Sequence, residues 1–257
     1  MRQESTRYAV PEHMAPAPAL FRGVLGEHNA LIAGAVGSGK TVFEKGLLYA
    51  IARETTPDES ELYLIDPKRV ELGMWARLPH TRGYARDFDD AMRLLDEVAD
   101  RMMMRYNRLE EAGRNQWRGS HIYVFIDELA DLMLTDRRKT TEKLQRIMQL
   151  GRAARVHVIA LSQCVSRTMV IPAPVQVNVT CSVGLRCKSA IDSRQIIGQA
   201  GCELLPRYGY CIVSDADGIR QEVVPMTGAA AISDLVSWWT SPRCARETRP
   251  RRFLGVF

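Results

Sequence analysis

The run NALIAGAVGSGKTVFEKGLLYAIARET, residues 29–55, constrains the fold more than any other part of this 257-residue chain. Its opening ALIAG is apolar enough to be a buried strand, and Val42, Phe43, Leu47, Leu48 and Ile51 then recur at helical spacing. Between strand and helix, Gly34 to Thr41 fits G-x-x-x-x-G-K-[ST] at every position, in the context that gives the motif weight. Glycines let successive backbone N–H groups converge on phosphate oxygens, and the helix that follows adds its positive end. Lys40 then reaches the β and γ phosphates of a nucleoside triphosphate, and the Thr41 hydroxyl ligates Mg²⁺. The candidate binding residues are therefore Gly34, Ala35, Val36, Gly37, Ser38, Gly39, Lys40, Thr41 and Val42. A chance glycine-rich turn is the bland alternative.

The rest of the chain alternates in the same way. ELYLIDP reads as a strand closed by Pro67, IYVFIDE and VHVIALSQ as further strands, and TTEKLQRIMQLGRAA as a helix. VQVNVTCSVGLRC and YGYCIVSD make the C-terminal part rich in β signals. The long segment at 87–113 sets Met92, Leu95, Val98, Ala99, Met102, Tyr106 and Leu109 along one stripe, with Arg101, Arg105 and Arg108 on another face that reads as solvated. Strands alternating with helices imply right-handed crossovers and a mostly parallel central sheet flanked by helices, an α/β fold. Three regions are expected: an N-terminal arm with little structure at 1–21, rich in Pro and Ala; a main domain at 22–228; and a helix with a basic tail at 229–257.

Two carboxylates, Asp127 and Glu128, directly follow the apolar strand IYVFI. In a parallel sheet the strand C-termini face the ligand crevice. Asp127 is thus expected beside the Mg²⁺, and Glu128 where it polarises an attacking water. Capping of the next helix is the structural alternative, although it accounts poorly for both carboxylates. Gln163 ends another strand, where an amide can sense the γ phosphate. Asp66 either serves the site or starts the turn that Pro67 enforces.

Composition excludes little. A net charge of +5, 46% hydrophobic and 25% charged residues describe an ordinary soluble domain, with a polyanionic partner permitted but not required. No run of about eighteen apolar residues exists, and the N-terminus lacks the apolar core of an export signal, so a cytoplasmic location is expected. Six cysteines without a CxxC pair read as reduced structural thiols rather than a zinc site.

LIAGAVGSGKTV, LYLIDPKRVEL, RYNRLEEAGRN, IYVFIDELADLM, LQRIMQLGRAARVHVIALSQ, AIDSRQIIGQAGCELL and GYCIV, in order across residues 29–213, resemble the motor domain of the FtsK/SpoIIIE family of double-stranded DNA translocases. The specific elements are DPK-x-x-EL (Asp66, Pro67, Lys68, Glu71, Leu72), LGRAAR-x-H at 150–157 and IDSR at 191–194. The resemblance implies a RecA-like P-loop ATPase that uses ATP and Mg²⁺, assembles as a hexameric ring around duplex DNA, and hydrolyses ATP at subunit boundaries. It also implies roles: Lys40 and Thr41 for phosphate and metal, Asp127 and Glu128 as the acidic pair, Gln163 as sensor, and Arg152 as the arginine that reaches the neighbouring subunit's γ phosphate.

There are departures as well. Cys164 and Val165 stand where the family has Arg-Pro, and Ala190 replaces a lysine before IDSR, with Lys188 two residues earlier as a substitute. Arg167, Lys188, Arg194 and the basic tail at 246–252 are the expected contacts to DNA phosphates, which would give salt-sensitive binding without base reading. Arg194 also has a local alternative, a pair with Asp192. Neither a membrane anchor nor a winged-helix domain is expected in a chain of this length, which suggests a bare motor of a mobile element. A nucleotide-gated adaptor that recruits a DNA-processing complex is the alternative.

Overall fold

The computed structural model of the chain describes residues 10–11, 14–26, 29–163 and 171–241. In chain order the elements are α1 (Ala19–Leu25), β1 (Ala30–Ala33), α2 (Lys40–Glu54), β2 (Ser60–Ile65), β3 (Thr81–Ala85), α3 (Phe88–Glu111), β4 (His121–Ile126), α4 (Leu129–Thr135), α5 (Arg137–Ala154) and β5 (Val156–Ser162). There follow α6 (Ala173–Gln176), β6 (Cys181–Gly184), α7 (Ala190–Ile197), β7 (Tyr210–Asp215), β8 (Gly218–Val223) and α8 (Ala229–Thr240). The strands form one sheet in the order β3-β2-β4-β5-β1-β6-β7-β8. From β3 to β6 every neighbour pair is parallel, and β7 and β8 add an antiparallel margin.

Continuous apolar runs make strands that need cover on both faces. Every residue of β1, β2 and β5 is buried. On one face α1, α2 and α8 press Phe21, Phe43, Leu47, Leu48, Leu235 and Trp239 against Ile32, Leu62, Phe125 and Leu161. On the other, Leu95, Val98, Met102, Leu144 and Ile147 from α3 and α5 cover Tyr63, Ile65, Val124, Ile126 and Val158. Each such side chain contributes about 1.5–3 kcal/mol relative to exposure. Cys181, Cys187, Cys202 and Cys211 are free and buried, while Cys164 and Cys244 lie outside the described residues. Among the described residues no helix is long and apolar enough to cross a membrane.

Three expectations change, and two strands are additional to those read from the sequence. The described part of the N-terminal arm is packed rather than loose: Val10, Met14, Ala17 and Phe21 are buried. Phe21 seats in a notch at Gly46, where a Cβ would stand 2.2 Å from its ring. Side chains of α2 take up the backbone of this proline-rich stretch, with Tyr49 donating to the Ala15 carbonyl at 3.0 Å and Arg53 to that of Met14. Secondly, Arg101 and Arg105 are not a solvated face. Glu61, buried on β2, accepts from both, and the Arg105 guanidinium also donates to the Ala154 carbonyl at 2.7 Å. Thirdly, VQVNV is not a strand, because Pro172 and Pro174 suit the first turn of a helix and α6 forms there instead. Finally, β3 and β8 are strands without continuous apolar runs, since both lie at sheet edges and are only partly covered.

Candidate active site

Parallel pairing brings the C-terminal ends of β1, β2, β4 and β5 to one edge, with β5 between the strand of the glycine loop and the strand of the acidic pair. The loop from Gly34 to Gly39 is shaped by two glycines at positive φ, Gly37 at 72° and Gly39 at 101°. Gly34 is needed for space: a Cβ there would lie 2.7 Å from Ser38 Oγ and 2.8 Å from Leu185 Cβ. The close approach lets the segment after β6 bind the loop, with Leu185 N–H donating to the Ala33 carbonyl and Ala35 N–H to that of Arg186, both at 2.8 Å.

Lys40 opens α2 and is folded onto the loop, donating to the carbonyls of Gly34 at 2.7 Å and Ala35 at 2.8 Å. Burial pushes its pKa down to about 8, opposed by the nearby Glu128 and Asp127 carboxylates. Ser38 Oγ is buried without a hydrogen-bond partner. Val36 is exposed and Val42 lies at the start of α2.

The acidic pair directly follows the C-terminal end of β4. Burial raises the Asp127 pKa to about 6, helped by the neighbouring carboxylates of Asp66 and Glu71 and opposed by Lys68. Glu128 occupies the N-cap position of α4, yet its side chain makes no cap bond. Its buried carboxylate instead accepts from Ser162 Oγ at 3.1 Å and from Gln163 N–H at 3.0 Å, which excludes helix capping as its purpose. Gln163 therefore meets Glu128 through its backbone while its side chain is left exposed.

Asp66 builds the turn through Oδ2, while its buried Oδ1 has no hydrogen-bond partner and its charge acts on Asp127. Fully buried, Asp66 accepts from the N–H groups of Glu71 at 3.2 Å and Leu72 at 3.0 Å. The turn delivers Lys68, whose ammonium lies 3.7 Å from Glu128 and 3.5 Å from Asp131. Ser162 and Glu44, which also lie here, are missed by sequence reading, and Lys68 appears there only as part of a motif without a site role. Glu44 is buried on α2 with neither carboxylate oxygen hydrogen-bonded. Burial drives its pKa well up, and Asp127, Glu71 and Asp66 add to the effect. The signal for Glu44 was a charged residue within an otherwise apolar helix face, and for Lys68 its place in the DPK turn.

Arg152 is elsewhere. It is exposed in the last turn of α5, at the edge where β5 begins, so the length of β5, roughly 20 Å for seven residues, separates it from this chain's own glycine loop. Around it the GRAAR motif has a geometric basis. A Cβ on Gly151 would lie 2.2 Å from the Val156 carbonyl oxygen, and Arg155 ends the helix at a φ of 53°. His157 is buried in a stack with Tyr123 and His121. Lys188 borders the glycine loop together with Arg186 and Arg207. Arg194 is exposed on α7 and, among the described residues, forms no ion pair with Asp192. Arg167 and the basic tail lie outside the described residues.

A phosphate-type loop on a central parallel strand, an acidic pair one strand removed and a polar strand end between them define the P-loop ATPase class of α/β fold. The chain belongs to the FtsK/SpoIIIE family, whose sequence profile matches residues 2–123 and 113–167. DNA translocase FtsK of Sporosarcina ureae is 34% identical over 197 residues, 69% of this chain and 25% of that protein. DNA translocase FtsK of Tropheryma whipplei is 30% identical over 239 residues, 85% of this chain and 31% of that one. The chain thus spans about a quarter of the length of the first of these relatives. Among solved structures, the pCW3 conjugation coupling protein TcpA, in its monomer form with ATPγS, has the same fold: TM-score 0.73, 19% identity, 84% of this chain and 66% of that one. The cytoplasmic domain of the Type VII secretion ATPase EccC of Thermomonospora curvata also shares it, with TM-score 0.68, 21% identity, 85% of this chain and 28% of that one.

Proposed function

We propose that the chain hydrolyses ATP and uses the energy to move double-stranded DNA as a ring-shaped homo-oligomer, a hexamer, in DNA transfer or segregation by a mobile element. The observation that carries the hydrolytic reading is the Glu128 carboxylate, buried, free of capping and held by Ser162 and Gln163 at the edge shared with Lys40 and Asp127. Binding of the triphosphate requires Lys40 to exchange the Gly34 and Ala35 carbonyls for phosphate oxygens. The unpartnered Ser38 hydroxyl and the loop N–H groups supply further donors. Thr41 and Asp127 would hold Mg²⁺: Asp127 is a buried carboxyl that Asp66 and Glu71 hold up in pKa, so a nearby cation favours its charged form. Among the described residues no cluster of three or more such side chains could hold a metal alone, so phosphate oxygens and water would complete the shell. When bound, the ion neutralises charge on the phosphates.

Glu128 orients and polarises the attacking water, with its own geometry fixed from the end of β5. Gln163 senses whether the terminal phosphate is present. Arg152, at the opposite edge from its own loop, acts on a neighbour's nucleotide, so turnover depends on assembly. Arg167, Lys188, Arg194 and the basic tail are the proposed DNA contacts, with Lys188 also near enough to the loop to couple the two ligands.

ATP turnover with and without linear duplex DNA tests the reading. Strong stimulation that Glu128→Gln abolishes is expected, whereas a flat response would make the chain a nucleotide-gated adaptor. Arg152→Ala should bind nucleotide without turning it over, and mixing it with Glu128→Gln should restore part of the activity. No recovery would refute the shared site.

A further inference from the structure

The acidic pair and Gln163 lie on the β4 and β5 side of the glycine loop, so a bound triphosphate has its terminal phosphate on that side. In that reading its nucleoside end would extend the other way, toward β6, which lies on the opposite side of β1 from β5. There the fold leaves an open cavity of about 390 Å³, lined by Gly37, Ser38, Arg186, Lys188, Glu203 and Arg207. Its walls are not independent of the loop. Arg186 is tied to it by the Ala35 hydrogen bond, and the Arg207 guanidinium lies 3.9 Å from where a Cβ on Gly37 would stand.

Three cations and one carboxylate line it, and among the described residues none of Arg186, Lys188 and Arg207 is in an ion pair, while the cation that acts on Glu203 is Arg194. Glu203 accepts from Gly201 N–H at 2.8 Å through one oxygen, which fixes the side chain and leaves acceptor capacity on the other. That backbone bond holds its carboxyl below the usual range, so Glu203 is ionised at neutral pH. Cations suit a 5′ phosphate, and a fixed carboxylate suits vicinal hydroxyls, which donate where a base edge offers mixed donors and acceptors.

We propose that this cavity is a ribose subsite in which Glu203 accepts hydrogen bonds from the 2′ and 3′ hydroxyls and Arg207 and Arg186 bind the phosphate nearest the sugar, making the chain selective for ribonucleotides over deoxynucleotides. The inference rests on the nucleotide-binding reading and goes past it to the sugar. Lys188 completes the positive wall.

Isothermal titration of the full chain with ADP and with 2′-deoxyADP tests it, because neither is consumed. The wild type should bind ADP about tenfold more tightly, as expected for a charge-assisted hydrogen bond. Glu203→Ala should bring the two affinities together, and Glu203→Gln, which keeps an acceptor for Gly201 N–H, should reduce the preference partly. Arg207→Ala should weaken both ligands by a similar factor and leave their ratio unchanged. Equal affinity in the wild type, or an unaltered ratio in Glu203→Ala, would overturn the subsite while leaving nucleotide binding intact. Binding of neither ligand by the wild type would refute the nucleotide reading itself, and the subsite with it.

Discussion

Removing either end of the buried Arg105–Glu61 pair should have unequal consequences. Arg105 donates to Glu61 at 3.1 Å, Ser120 at 2.9 Å and the Ala154 carbonyl at 2.7 Å, and its guanidinium lies 5.2 Å from the centre of the Trp117 ring. In Arg105→Ala, Glu61 retains Arg101, the Ser120 hydroxyl and Arg82 at 3.6 Å, so the carboxylate is not left uncompensated. The loss is then a charged hydrogen bond to a helix-end carbonyl, worth roughly 1.5–3 kcal/mol, plus a cation–π contact of about 1 kcal/mol. Relief of the arginine's desolvation offsets part of that, for a net cost of about 2 kcal/mol.

In Glu61→Ala the guanidinium stays buried without its anion, and the cost rises to about 3–5 kcal/mol. Urea unfolding followed by tryptophan fluorescence measures both, and the double variant should cost less than the sum. An Arg105→Ala cost equal to or above that of Glu61→Ala, or additive behaviour, would refute the reasoning. Since the same guanidinium holds the end of α5 next to Arg152, Arg105→Ala should also reduce ATP turnover more than ATP binding.

Three further outcomes are expected. Gly151→Ala forces a Cβ to within 2.2 Å of the Val156 carbonyl oxygen, so it should cost about 1–3 kcal/mol in unfolding and disturb Arg152-dependent turnover. Glu44→Leu replaces a partnerless buried acid with an apolar residue of similar volume and should stabilise the nucleotide-free chain by about 1 kcal/mol or more. Because burial raises the Glu44 pKa, the wild-type penalty grows with pH, and the gain read from thermal melts should be larger at pH 8 than at pH 6. His80, buried and donating to the Thr55 carbonyl, has its pKa pushed down to about 4. Between about 6.5 and 4 the unfolded chain takes a proton that the fold refuses, so stability falls with pH by up to about 3 kcal/mol, and His80→Asn should remove that dependence in chemical melts.

The glycine loop, its flanking strand and helix, and the acidic pair were legible because each is a local pattern: contiguous residues at a fixed period, with Gly37 and Gly39 at the positive-φ positions that the motif demands. The class of fold followed from the same alternation of periods. What lay beyond was any relation between segments distant in the chain. Periodicity marks Arg105 as off the apolar stripe of α3 but does not reveal that Glu61 and a helix end wait there. Composition marks 1–21 as proline-rich but not that α2 carries the side chains to satisfy its backbone.

The same division runs through the site. Sequence placed Glu128 at a strand end, where capping a helix and activating water were both open. Tertiary structure set the capping role aside by inserting β5 beside β4, so that Ser162 and Gln163 take the carboxylate. Strand order likewise separated Arg152 from its own loop and turned Glu203 and Arg207 toward that loop. Local backbone preferences are written residue by residue, whereas the partner of a buried charge is chosen by which strands pair, and that choice minimises the free energy of the whole sheet at once.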